Sequence, residues 1–298
     1  MKIGKLTIIG LGLMGGSLAK ALKAKGVVEH VWATGRRAAS LERGLALGVI
    51  DHWTLDLAEA VRDADVVLIA TPTLVAEQVM ADLAPLLSER TIVTDVASVK
   101  GNILRAAESV FGELPARFVL AHPIAGSEQS GVEAAKTDLF VDHRVILTPL
   151  DSNDADAVAT VREMWQHAGA EVVDMAVDEH DAVLAATSHL PHVLAYTLVD
   201  ALAASGSAAD IFRFAAGGFR DFTRIASSDP TMWHDIVLAN RQAILNGLDT
   251  FADHLTEVRQ LIADSDGPAI KQVFSRAKQA RDEHFLGQYM VGRKQTKS

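Results

Sequence analysis

The sequence predicts an α/β N-terminal domain of the Rossmann type, a doubly wound parallel sheet, followed by an all-α C-terminal domain. Three observations predict it. A glycine-rich turn, GLGLMGG, joins the first apolar run to the first amphipathic segment. Later runs in the first half are apolar almost without interruption. Strand-like runs then stop near residue 177, and helical periodicity takes over. These readings divide the chain into residues 1–176, a dinucleotide-binding domain, and residues 177–298, a helical domain.

Strands are expected at residues 5–9, 30–33, 65–70, 91–96, 117–121, 144–148 and 171–175. Stretches such as ADVVLIATP and RTIVTDV would be buried on both faces, as strands in a parallel sheet are. The segments SLAKALKAKG and ASLERGLALG between them have helical spacing and each stops at a glycine. Strand and helix therefore alternate, which is the pattern of a doubly wound sheet. Beyond residue 178, DEHDAVLAATSHLPHVLAYTLVDALAAS and DPTMWHDIVLANRQAILNGLDTFADHLTEVRQLIAD read as long helices. The polar tail at 293–298 is expected to fray.

Bulk properties exclude several classes of function. A net charge of −10 over 298 residues argues against a nucleic-acid partner. The absence of cysteine removes disulfides, thiolate nucleophiles and cysteine zinc sites. No uninterrupted apolar stretch reaches the roughly 18 residues of a membrane span, so no membrane partner is expected. The N-terminus is too glycine-rich and too briefly apolar for a signal peptide, and a cytoplasmic protein is expected.

The run Gly10, Leu11, Gly12, Leu13, Met14, Gly15 stands between a strand and a helix, where GxGxxG is a strong dinucleotide signal. Gly10 makes the tight turn, Gly12 admits the pyrophosphate to the backbone, and Gly15 lets helix and strand approach. The second strand should end about twenty residues on with an acid for the ribose hydroxyls of NAD. It ends instead in Thr34-Gly35-Arg36-Arg37. A carboxylate would repel a 2′-phosphate, whereas arginine pairs with it. The reading favours NADP, with NAD as the alternative in which Arg36 stacks on adenine. Thr71 and Pro72 follow the next strand and should lie beside the cofactor.

Two further clusters carry chemistry. Ser98 (in SVKG) and His122 (in HPIAGSE) each follow an expected strand. A histidine at the carboxyl edge of the sheet can act as general base, or can be a cap without chemistry. In the helical half, SHLPH carries His189 and His192 three residues apart, so they could share one helix face. No HExxH or matching acidic motif accompanies them, and no metal is expected. Downstream, GGFRDFTR contains Arg220, Asp221 and Arg224. An arginine there is either a carboxylate clamp or half of a structural ion pair. Ser228-Asp229-Pro230 starts a helix that carries Trp233.

GLGLMGGSLA, DVASVKG, HPIAGSEQSG, TSHLPH and GGFRDFTRIASSDPTMW, in this order, resemble the prephenate/arogenate dehydrogenases of tyrosine biosynthesis over nearly the whole chain. The resemblance implies a homodimer through the helical domain and an active site facing the nucleotide. It implies oxidative decarboxylation of a cyclohexadienyl substrate, prephenate or arogenate. Hydride leaves C4, the C4 hydroxyl loses its proton, and CO2 leaves C1. By the same resemblance His122 is the base for the hydroxyl, Ser98 orients that histidine or hydroxyl, and Arg224 grips the carboxylate. His192 lines the substrate pocket, and His189 is the weaker candidate of the two. Glu128 should face the substrate side chain, Asp221 should hold the arginine segment, and Trp233 should pack the wall. The length leaves no room for the regulatory domain of some relatives, so any tyrosine inhibition is expected to compete at the active site. Rival readings are an arogenate-specific enzyme, a β-hydroxyacid-type dehydrogenase, and a non-catalytic nucleotide sensor.

Overall fold

In the computed structural model, which describes residues 2–127, 129–206 and 208–286, the first apolar run forms strand β1, Ile3–Ile9. Helix α1 (Leu13–Lys25) follows the glycine turn and ends at Gly26, whose φ of 66° suits a residue without Cβ. Then come β2 (Val28–Thr34), α2 (Ala38–Ala46), β3 (His52–Trp53), α3 (Leu57–Val61), β4 (Val66–Ile69), α4 (Ala76–Leu83), β5 (Ile92–Asp95), α5 (Lys100–Phe111) and β6 (Phe118–Val119). The six strands pair in parallel in the order β3-β2-β1-β4-β5-β6. Two-residue β3 has no clear signal in the sequence and joins the edge beside β2.

Side chains of β4 alternate between two cores. Val66 and Leu68 join Leu18 and Leu22 of α1 on one face, and Val67 and Ile69 join Met80 of α4 and Ile103 of α5 on the other. This period of two, apolar on both sides, is why the strands read as continuous apolar runs.

The expected strand at 117–121 divides, and this corrects the sequence reading. The chain leaves the parallel sheet after β6 and enters β7 (Ala121–Ile124). A second sheet has the order β7-β8-β9, with β8 at Arg144–Leu147, helix α6 at Ala155–His167 and β9 at Glu171–Asp174. β7 runs antiparallel to β8, and β8 runs parallel to β9. His122 and Pro123 therefore lie within a strand, not in a turn beyond one. Proline has no N–H for a ladder and is tolerated here because β7 is an edge. Trp165 of α6 is fully buried and meets Phe140 edge-on at 5.1 Å.

From residue 177 the described chain is helical: α7 (Val177–Leu184), a π-helical turn (Ala185–His189), α8 (Leu190–Ala203), α9 (Ala208–Arg213), α10 (Gly217–Thr223), α11 (Pro230–Ala239), α12 (Arg241–Ala263) and α13 (Gly267–Ala280). Pro191 has no N–H for the carbonyl four residues back, and the helix widens into its π turn just before it. Val177–Ala203 is long and apolar enough by composition to cross a membrane, although His180, Asp181, His189 and His192 interrupt it. The compact units are Met1–Ile244 and Leu245–Ser298, and the division between them falls within α12. Asp181 of α7 accepts from the N–H groups of Lys100 and Gly101 in α5, which ties the first helices after residue 177 to the nucleotide-binding part.

Candidate functional site

The dinucleotide turn is built as the glycines require. Gly10 has φ 93°, and a Cβ on it would lie 2.7 Å from the carbonyl oxygen of Ala70. A Cβ on Gly15 would lie 2.7 Å from Ile8, so only glycine lets α1 sit this close to β1. Around Gly12 there is open space, and no side chain caps α1, whose first N–H groups stay available to phosphate oxygens. Leu11 is buried, while Leu13 and Met14 pack half-buried against the core. The hydroxyl of Thr71 is buried without a hydrogen-bond partner, and Pro72 next to it is exposed. These residues fit a bound dinucleotide.

A cavity of about 330 Å³ opens beside the turn, lined among others by Ile9, Thr34, Gly35, Arg36 and Asp82. Arg36 therefore lines the pocket, whereas Arg37, exposed like it, stands at the start of α2. Asp82 of α4 was not foreseen. β2 does lack a terminal acid, but α4 brings a carboxylate to the same pocket, held 2.9 Å from the side-chain amide of Gln78.

At the carboxyl end of β5, a buried ion pair between Asp95 and Lys100 holds the backbone of Ala121. Asp95 Oδ1 accepts from the N–H of Ala121 at 3.1 Å, and Lys100 Nζ donates to its carbonyl at 2.6 Å. Both polar backbone groups of the residue before His122 are thus fixed by side chains at the point where β6 gives way to β7. Burial pushes the Lys100 ammonium below its ordinary value, against the opposing charge of Asp95.

His122 is buried, and its Nδ1 lies 2.8 Å from Nε2 of His180 in α7. His180 Nδ1 in turn lies 2.8 Å from Asp181 Oδ1. The resemblance gives Ser98 the orienting of this histidine or of the substrate hydroxyl; the half-buried serine makes no hydrogen bond to His122, whose Nδ1 side His180 occupies. Burial, with the nearby His180, Lys100 and His189, drives His122 well below the usual histidine value. Burial opposes ionisation of Asp181, but the hydrogen bonds from His180 and from the N–H groups of Lys100 and Gly101 hold its carboxyl below the usual range.

The π turn brings the other two histidines to one ring. His192 stacks on Trp233 with centroids 3.6 Å apart, and His189 meets Trp233 at 6.1 Å edge-on. Asn240 Nδ2 donates to the carbonyl of Asp181 at 2.8 Å and to His189 Nδ1 at 3.1 Å. Burial lowers His189 to about 4. Burial and the charge of Arg224 lower His192, whose Nδ1 donates to the Ser188 carbonyl at 2.8 Å. Arg224 opens a 3-10 turn, Arg224–Ser227, that α8 secures through the Tyr196 hydroxyl, a donor to the Ser228 carbonyl at 2.7 Å. Asp221 lies exposed, 3.5 Å from an equally exposed Arg220. Glu128 lies outside the described residues. No group of metal ligands occurs among the described residues.

Sequence reasoning missed Asp95, His180, Asp181 and Asn240, and left Lys100 without a role. The only local signal was the adjacent His-Asp pair in DEHD.

Two family models cover most of this chain. One, described as the nucleotide-binding domain of prephenate dehydrogenase, matches residues 18–174, and the other, described as its dimerization domain, matches residues 176–276. A cyclohexadienyl dehydrogenase of Zymomonas mobilis is 39% identical over 279 residues, covering 93% of this chain and 94% of that one. The crystal structure of prephenate dehydrogenase from Aquifex aeolicus, in complex with hydroxyphenyl propionate and NAD+, superimposes with a TM-score of 0.89 at 35% identity, over 95% of this chain and 99% of that one. The Synechocystis arogenate dehydrogenase structure superimposes with a TM-score of 0.80 at 28% identity, over 94% and 99%.

Proposed function

The chain belongs to the prephenate dehydrogenase family, and from that premise we propose that it converts prephenate to 4-hydroxyphenylpyruvate by oxidative decarboxylation. When bound, the nicotinamide dinucleotide supplies the acceptor for the hydride that leaves C4. His122 takes the proton of the C4 hydroxyl at Nε2, the nitrogen opposite its bond to His180. Arg224 holds the substrate carboxylate, for which the planar guanidinium offers two donors. The stacked rings of His192 and Trp233 offer a flat aromatic wall to the cyclohexadienyl ring. Ser98 stands between β5 and α5 as a hydroxyl for the substrate or the nicotinamide.

The observation that carries this reading is the state of His122. It is buried, it is tied at Nδ1, and its environment keeps it uncharged at neutral pH, as a base for a hydroxyl must be. A second reading, arogenate as substrate, draws on the arogenate dehydrogenase among the structural relatives. Mixing the protein with prephenate or arogenate and with NAD or NADP, and following the absorbance of reduced cofactor, tests both. Turnover with prephenate is expected. Turnover with arogenate alone would replace the first reading with the second, and none in any combination would overturn the assignment.

For the cofactor we propose NADP, since Arg36 lines the pocket and β2 ends without an acid. NAD is the alternative, supported by Asp82 in the same pocket and by the NAD+ bound in the Aquifex structure. The ratio of kcat/KM for the two cofactors decides. We propose further that two copies associate through the helical half. The matching family description is a dimerization domain, and Leu198, Phe222, Leu238, Leu245 and Phe251 of that half are exposed in the single chain. Sedimentation at micromolar concentration is expected to show a dimer.

A further inference from the structure

We propose that His180 and Asp181 are positioning residues for His122: the carboxylate of Asp181, acting through the His180 ring, holds His122 with its proton on Nδ1 and its Nε2 free. The proposal rests on the reading of His122 as the base.

The chain of bonds leaves little choice. A carboxylate only accepts hydrogen bonds, so the 2.8 Å contact of His180 Nδ1 with Asp181 Oδ1 places a proton on that nitrogen. Neutral imidazole carries one N–H, so His180 Nε2 is an acceptor. The 2.8 Å contact with His122 Nδ1 then needs a proton on His122, and Nε2 of His122 is left bare. The rings cannot easily turn to another arrangement: His180 is fully buried, and the two centroids lie 5.0 Å apart at 65°.

Asp181 is held as firmly as the ring it directs. Its two oxygens accept from the N–H groups of Lys100 and Gly101, each at 2.8 Å, which are the first two residues of α5. Val99 offers no side-chain cap, so a residue 80 positions away caps this helix. Negative charge is favoured at a helix N-terminus. A Cβ on Gly101 would lie 2.7 Å from Asp181 Oδ2, so the glycine of SVKG leaves room for the carboxylate. Lys100 joins the two halves of the arrangement. Its N–H holds Asp181 and its ammonium holds Ala121, the residue before His122.

When the substrate hydroxyl gives its proton to His122 Nε2, the electron pair of the O–H bond stays on oxygen and the ring becomes an imidazolium with both nitrogens protonated. No proton needs to pass to His180, and Asp181 stays ionised. The new charge is stabilised by the carboxylate across one neutral imidazole. The other charged or titratable groups around the His122 ring are Lys100 from α5, paired with Asp95 from β5, and His189 from the π turn.

The test uses the full-length protein with His180→Phe, His180→Gln and Asp181→Asn. Imidazole ¹⁵N resonances, assigned by loss of signal in His122→Asn, report the tautomer independently of turnover. In the wild type His122 should show a protonated Nδ1 and a bare Nε2. His180→Phe should mix the two tautomers and lower kcat about 100-fold, with KM for prephenate and the dissociation constant for cofactor within threefold of wild type. His180→Gln, whose amide oxygen can still accept from Nδ1, should recover at least a tenth of the wild-type kcat, and it carries the test should the phenylalanine variant not fold. An unchanged tautomer in His180→Phe, or kcat within threefold of wild type in all three variants, would overturn the proposal. So would equal losses in kcat and cofactor binding with glutamine no better than phenylalanine, which would mark a purely structural pair. Absence of turnover in the wild type refutes the proposed function instead, and the resonances still decide the tautomer.

Discussion

A histidine works as a base only through a nitrogen that lacks a proton, and for His122 the Nδ1 side is already engaged by His180. Replacement by asparagine keeps a hydrogen-bonding side chain but removes the base. His122→Asn is expected to lower kcat by about 10²- to 10⁴-fold, the usual range for general-base catalysis, with little change in KM. Equal losses in both would give His122 a binding role instead. Because His122 sits well below the ordinary histidine value, its base form persists under mild acid. The acid limb of kcat/KM is therefore expected below pH 6.5, and a limb above 6.5 would contradict the burial argument. At the other pocket, Arg36→Ala removes a charge-assisted hydrogen bond to a 2′-phosphate. Weakening of NADP binding by about 10- to 100-fold, with NAD nearly unaffected, is the expected result of titrating both cofactors.

Elements place these residues by their ends. α11 carries Trp233 to His192 and begins at Asp229, whose side chain accepts from the N–H groups of Thr231 at 2.7 Å and Met232 at 3.2 Å. Asp229→Ala should cost about 1 kcal/mol of stability by loss of this cap, measured as a lower denaturation midpoint at constant denaturant slope. This start was legible in the sequence, because Ser-Asp-Pro carries both cap and first-turn proline. The start of α5 was not, because its cap comes from Asp181 on another helix. The division of residues 117–124 between two sheets was hidden for a related reason. Val119 and Ala121 are both apolar and both buried, and nothing in their spacing tells which sheet each joins. The side chains of Asp95 and Lys100 mark the crossing, and both come from earlier in the chain.

For the molecule as a whole, buried uncharged histidines couple folding to pH. His189 stands near 4 in the folded protein against 6.5 ordinarily, and His122 is displaced in the same direction. A histidine with a depressed folded value contributes stability that is fully present above its unfolded value and disappears as pH falls through the folded one. Stability should therefore drop progressively between about pH 6.5 and 4, as followed by thermal midpoints across that window. His189→Gln should flatten part of the drop, and an unchanged slope would mean that His189 is solvated. The sequence alone determined the nucleotide turn, the alternation of strand and helix, and the onset of the helical half. Each of these follows from bonds and steric contacts within a few residues, and periodicity records them. Only the tertiary structure decided which nitrogen of His122 is free, because that depends on His180 and Asp181, brought 58 and 81 positions along the chain to His122 and Lys100. Tautomer and charge follow from distance in space, and distance along the chain does not encode it.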